Sequence, residues 1–142
     1  MAGGGLVLRL RPFEKFLVNG VVIENGDRRA RLRVVTQDAH ILRVRDALHP
    51  DEVKTPARRL YYVAQLAVAG EADADQSRAE LVPGLEALRD AMGPVCREDI
   101  EAALVDAHDG RFYHVMRALS RVLPREAALL GVAAGAEPEA DQ

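Results

Sequence analysis

The sequence predicts an α+β fold: an N-terminal five-stranded antiparallel β-sheet or open barrel, then a C-terminal bundle of about four helices. Three observations predict it. Apolar residues alternate with a period of two as far as Arg45, and recur at i, i+3, i+4 spacing from Leu60 onward. Turn dipeptides punctuate the first half, whereas helix-capping residues open the second. Formal charge changes sign as well: residues 1–49 hold nine basic and five acidic side chains, and residues 50–142 hold ten and seventeen, within a net charge of −3. The chain is therefore expected to divide into a sheet module at 1–49, a helical module at 50–131 and a disordered acidic tail at 132–142.

The first strand is Leu6 to Arg11, with Leu6, Leu8 and Leu10 on one face and Val7, Arg9 and Arg11 on the other. Phe16 to Val18 and Val21 to Glu24 flank Asn19-Gly20, the dipeptide best able to supply the two positive φ angles of a type I′ hairpin turn. A second turn follows at Asn25-Gly26-Asp27. Arg29 to Val35 alternates again, and so does Ile41 to Arg45.

Thr55 is a natural N-cap, and Pro56 suits the first helical position, where its missing N–H has no intrahelical partner to lose. Leu60, Val63, Ala64, Ala67 and Val68 then form one stripe, and Gly70 ends the run. Tyr61, Tyr62 and Leu66 make this helix apolar around most of its circumference, as a central helix requires. Leu81, Leu85, Leu88 and Met92 mark a second helix, which Pro83-Gly84 is expected to kink or delay. Ile100, Ala103, Leu104 and Ala107 mark a third, stopping near Gly110. Phe112, Val115, Met116, Leu119 and Val122 mark a fourth, expected to end at Pro124.

The main chemical signal lies on the strands. If each is half-buried, Arg9, Arg11, Arg29, Arg31, Arg33, Arg43 and Arg45 all project from the face opposite the leucines and valines. Guanidiniums gathered on one face repel one another unless anions stand among them, and the nearby acids are fewer. Two readings fit: a solvated face partly neutralised by the acidic helices, or a binding surface for a polyanion, where phosphate neutralisation and counterion release favour association. Arg58 and Arg59, at the start of the first helix, are further candidates for anion contact. Arg111, Phe112, Tyr113 and Arg117 form a second candidate, an aromatic and basic stripe that serves either as core or as a contact for a protein partner or a second copy.

Other chemistries find little support. Cys96 is the single cysteine, which excludes internal disulfides and cysteine-based metal sites. Glu71, Asp73 and Asp75 begin like a calcium loop, but its obligatory glycine falls on Arg78 and its closing glutamate on Gly84. Gly3-Gly4-Gly5 precedes a strand rather than a helix, unlike a phosphate-binding loop. His108 and His114 are six residues apart, which on a helix places them on opposed faces, and no serine or histidine sits in a nucleophile motif. No catalytic residue, metal or cofactor is expected. No apolar run has the ~20 residues that a membrane span needs, so a cytoplasmic protein is expected.

Leu8-Arg9-Leu10-Arg11-Pro12-Phe13-Glu14, Val18-Asn19-Gly20, the run from Ile23 to Leu32 and Ile41-Leu42-Arg43 follow one another between Leu6 and Gly70. On these residues the stretch resembles the FlbT family of alphaproteobacterial flagellar regulators. The likeness is firmest at Lys54-Thr55-Pro56-Ala57-Arg58-Arg59-Leu60-Tyr61, with a weaker echo from Gly110 to Leu119 that departs from the family pattern at Arg111 and Phe112. The resemblance implies a post-transcriptional regulator of flagellin synthesis that acts on the 5′ untranslated region of flagellin mRNA as a repressor or an activator. It also implies a partnership with the small flagellar protein FlaF. The alternative is a protein-interaction module that acts on flagellin expression through FlaF, without direct RNA contact.

Overall fold

The computed structural model describes residues 6–36 and 39–131. Gly3-Gly4-Gly5 and the expected tail at 132–142 lie outside them. Five strands precede four helices: β1 Leu6–Leu10, β2 Lys15–Val18, β3 Val21–Glu24, β4 Ala30–Val34, β5 Ile41–Arg43, α1 Pro56–Val68, α2 Ala74–Met92, α3 Arg97–His108 and α4 Phe112–Leu130. Two compact units result, one of the residues up to Ala47 together with Val68–Glu71, the other of Leu48–Ala67 with the residues from Ala72 on.

All strand pairing in the first unit is antiparallel, but the strands form two sheets rather than one. β1 pairs with β4, and β2 lies between β3 and β5. The hairpin joining β2 to β3 turns through Asn19 and Gly20, with φ of 51° and 85°, as the dipeptide demands. What sends β4 back along β1 is a stitched loop. The Phe13 N–H donates to the Gly26 carbonyl at 2.8 Å, and the Asn25 side-chain amide donates to the carbonyls of Arg11 and Arg28 at 2.7 and 2.9 Å. The β1–β2 turn and the β3–β4 loop are thereby joined, so the chain leaving β3 arrives beside β1.

Leu8, Leu10 and Phe16 form the core of this unit, with Val18, Ala30, Val34 and Ile41 packed around them. β5 is shorter than expected, because Val44–Asp46 tightens into a 3-10 turn, and Arg45 therefore stands on a turn and not on a strand. His40 is tied to the hairpin by two hydrogen bonds to Asn19, and its ring lies where a Cβ at Gly70 would come within 2.8 Å of it. Only glycine fits that position, whose φ is also +79°.

In the helical unit the Thr55 hydroxyl accepts from the Arg58 N–H at 3.2 Å, the expected cap, worth about 1 kcal/mol. The N–H of Ala57 is satisfied from far along the chain, by the buried Glu126 carboxylate at 2.8 Å. Gln65, polar yet buried, is accounted for by a pair of hydrogen bonds to the backbone of Leu48. Asp73 caps α2 by accepting from the Gln76 N–H, so the acidic run that begins a calcium-loop pattern is a helix start.

Pro124 does not end its helix, and Pro83 does not delay the start of its own. α2 begins before Pro83 and continues to Met92, and α4 passes Pro124 to reach Leu130, where Gly131 closes it with a left-handed φ of 67°. Each proline costs its helix about 3 kcal/mol. Against this, Leu81, Leu85, Leu88 and Met92 are all buried along one stripe that spans Pro83, and Val122, Glu126 and Ala127 are buried across Pro124. Burying each large apolar side chain contributes about 1.5–3 kcal/mol, so packing outweighs the local penalty. His108 and His114 do not share a helix, since α3 ends at His108 and Gly110 turns the chain at φ +73° before α4.

Candidate functional site

The register of β1 against β4 gathers charge on one side of the sheet. Leu8 faces Leu32 and Leu10 faces Ala30, while on the other face Val7 stands opposite Arg33 and Arg9 directly opposite Arg31. Like charges paired across antiparallel strands destabilise the ribbon. Arg11 follows at the end of β1, Arg29 precedes β4, and β5 with its turn brings in Arg43 and Arg45. Together with Arg9, Arg31, Leu10 and Ala30 these line a concavity of about 520 Å³. Six of the seven strand arginines singled out in the sequence thus converge. Arg33, at the far end of β4, does not line it.

Within this basic surface one carboxylate organises the wall. Glu14 accepts from the Arg43 guanidinium at 2.9 Å and from the Arg11 backbone N–H at 2.9 Å, and Arg45 stands 3.9 Å away. Arg45 also lies 3.8 Å from Asp46. Among the described residues, Arg9, Arg11, Arg29 and Arg31 have no carboxylate partner. Burial of Glu14 on its own would raise its pKa. The Arg11 N–H, the hydrogen bond and charge of Arg43 and the charge of Arg45 outweigh that, and hold the carboxyl below its ordinary range.

A depressed pKa means that Glu14 stabilises the fold above its unfolded-state value and that this contribution disappears as pH falls through the folded-state value. The melting temperature of the protein is therefore expected to fall more steeply below about pH 4 than that of a Glu14→Gln variant, which lacks the contribution at every pH. Thermal unfolding followed between neutral and acid pH checks this. Parallel curves for the two proteins would show that Glu14 is not ionically held.

The remaining candidates lie on the helical unit. Arg58 donates to the carbonyl of Glu52 at 3.2 Å, and Arg59 is exposed on the first turn of α1. At the start of α4 the aromatic pair separates. The Phe112 ring is buried in the core, whereas Tyr113 is 41% exposed and meets His114 edge-on, with ring centroids 6.2 Å apart. Arg111 is held by Asp106 at 3.0 Å, and Arg117 is exposed. Cys96 is buried, and that burial pushes its thiol pKa up, which leaves it a poor nucleophile. The clamp made by Glu14 is not legible as a site element from the sequence, and of Phe13 and Phe16, the two aromatic side chains that the first half offers for stacking, only Phe13 is exposed. The signal for the clamp and for that exposure is Pro12, which sets the turn between Arg11 and Glu14 on which both depend.

Residues 6–130 match the family described as Flagellar protein FlbT. A probable flagellum biosynthesis repressor protein FlbT of Caulobacter vibrioides is 33% identical over 127 residues, covering 89% of this chain and 89% of the relative. Proteins of the same description from Brucella anthropi and Brucella abortus are 32% identical over 132 residues and 33% over 131, covering 88% and 87% of this chain and 82% and 81% of theirs. No solved structure matches the chain significantly.

Proposed function

The chain belongs to the FlbT family of flagellar proteins, and from that membership we propose that it is a cytoplasmic regulator of flagellin synthesis that binds the 5′ untranslated region of flagellin mRNA. Phosphates of the single-stranded leader run along the arginine concavity, and occupancy alters the stability or translation of the message. One observation supports this above all others: six arginines from the two sheets and their flanking turns line one concavity, four of them without a carboxylate partner among the described residues. An RNA backbone supplies the missing anions and relieves the repulsion between Arg9 and Arg31. A FlaF-like protein is the expected second partner, with exposed Tyr113 and Arg117 as its docking residues on α4. That surface also favours the other reading, in which the effect on flagellin passes entirely through the partner.

Salt separates the two. Direct binding predicts that log K for a flagellin leader falls linearly with log salt, with a slope of about −0.7 for each phosphate engaged. Four arginines each engaging a phosphate put it near −3 or steeper, whether or not the partner protein is present. Binding that needs the partner, or a slope close to zero, rejects the direct reading.

A further inference from the structure

We propose that Phe13 is a stacking platform for a nucleobase of single-stranded RNA whose phosphates occupy the adjoining arginine concavity, an inference that rests on the RNA-binding reading above. The turn from Arg11 to Glu14 has Pro12 at its second position, a positive φ of 61° at Phe13, and a hydrogen bond from the Glu14 N–H to the Arg11 carbonyl at 3.1 Å. These are the marks of a type II turn, whose third position belongs to glycine. A bulky L-residue there is strained, because its Cβ crowds the backbone in the left-handed region. Nor does the ring contribute to the core, since it is 60% exposed.

On both counts glycine would serve the fold better. Local rules broken without a structural gain point to a function at that position. The surroundings say which function. Arg11, two residues before, lines the concavity, and Glu14, the next residue, clamps Arg43 in the same wall. The sheet unit has one other phenylalanine, Phe16, which is 2% exposed and belongs to the core. Phe13 does not itself line the concavity, but it is two residues from Arg11, which does, and offers an exposed ring of the kind single-strand recognition uses, with cations tracking the backbone and a ring receiving a base. The turn that strains it also holds it still. Its N–H is bonded to the Gly26 carbonyl, so little order remains to be imposed when a base docks.

The test compares the intact protein with its Phe13→Gly and Phe13→Tyr variants, using a single-stranded flagellin leader oligonucleotide and inorganic polyphosphate as a polyanion without bases. Phe13→Gly is expected to unfold at the same temperature as the parent or higher, because the strain is relieved. It should bind the leader about five- to a hundredfold more weakly, at an unchanged salt slope, since every arginine still meets its phosphate. Polyphosphate should bind the parent and Phe13→Gly alike, and Phe13→Tyr should restore leader binding. If Phe13→Gly keeps the parent's affinity for the leader, or loses polyphosphate to the same degree, or instead loses a FlaF-like partner, the platform is overturned while RNA binding by the arginines stands. If the parent itself shows no salt-dependent binding to the leader, the RNA-binding reading falls, and the platform with it.

Discussion

Alanine at Arg9, Arg11, Arg29 and Arg31 together is expected to flatten the dependence of leader binding on salt by about three units of slope, roughly 0.7 for each phosphate no longer neutralised. Near physiological ionic strength that amounts to a drop in affinity of about two orders of magnitude. These four are chosen because they line the concavity and have no carboxylate partner among the described residues. Arg43 is left in place, since removing it would strand the Glu14 carboxylate. Stability should move the other way, or not at all: none of the four belongs to the core of Leu8, Leu10 and Phe16, and the Arg9–Arg31 pairing opposes the ribbon it sits on. Filter binding across a salt series and a thermal melt measure the two effects. A quadruple variant that binds the leader as tightly as the parent at every salt concentration removes this face from RNA recognition.

The second large effect concerns stability. Leu60→Ala is expected to cost about 2–5 kcal/mol, the range for a buried leucine that leaves a cavity, and to lower the melting temperature by about 10 °C or more. Leu60 in α1 lies against α2 at Gly84, so close that a Cβ built on the glycine would be 2.5 Å from a leucine methyl carbon. The leucine fills the notch that the glycine leaves. Gly84→Ala should therefore destabilise the parent, since overpacking costs about 1–3 kcal/mol. In the Leu60→Ala background the same change should stabilise, because the methyl refills the void and alanine is the better helix former by about 1 kcal/mol. Urea unfolding of the four proteins gives this reversal of sign directly. Additive effects would mean that the two residues do not touch.

What can be read from the residues is what neighbours in sequence decide. Asn19 and Gly20 dictate their own turn, Thr55 and Pro56 start α1, and Leu81, Leu85, Leu88 and Met92 declare a buried stripe at helical spacing. The alternation of β1 likewise places Arg9 opposite in direction to Leu8 and Leu10. What cannot be read depends on partners distant in the chain. Nothing near Ala30 announces that it will pair with Leu10, and the two sheets follow from that choice. The two prolines mislead for the same reason: their penalty is local, whereas the burial that overrides it is tertiary. Phe112 and Tyr113 are adjacent and chemically alike, and only the packing of α4 decides that one is core and the other surface. The shared face of Arg9 and Arg31 is legible from strand alternation, but Arg43 stands opposite buried Phe16, on the same face as that ring, and Arg11, Arg29 and Arg45 lie outside the strands. The Glu14 clamp is not legible, because it needs β5 to arrive beside β2, and Arg33 is set apart from the other six only by the register.

The hydrogen bond from the Ala57 N–H to Glu126 spans 69 residues of chain, and this separation bears on how the protein is born. A ribosome adds roughly 5 to 20 residues each second, so about 3 to 14 seconds pass between synthesis of the two ends of that bond. Throughout that interval α1 has the Thr55 cap, while the N–H beside it faces water and the apolar stripes of the growing bundle await their last helix. The helical unit becomes complete only after Glu126 has been made. A nascent chain halted before Glu126 already carries the sheet unit, but its helical unit lacks the end of α4 and leaves that helix's partners open to proteases.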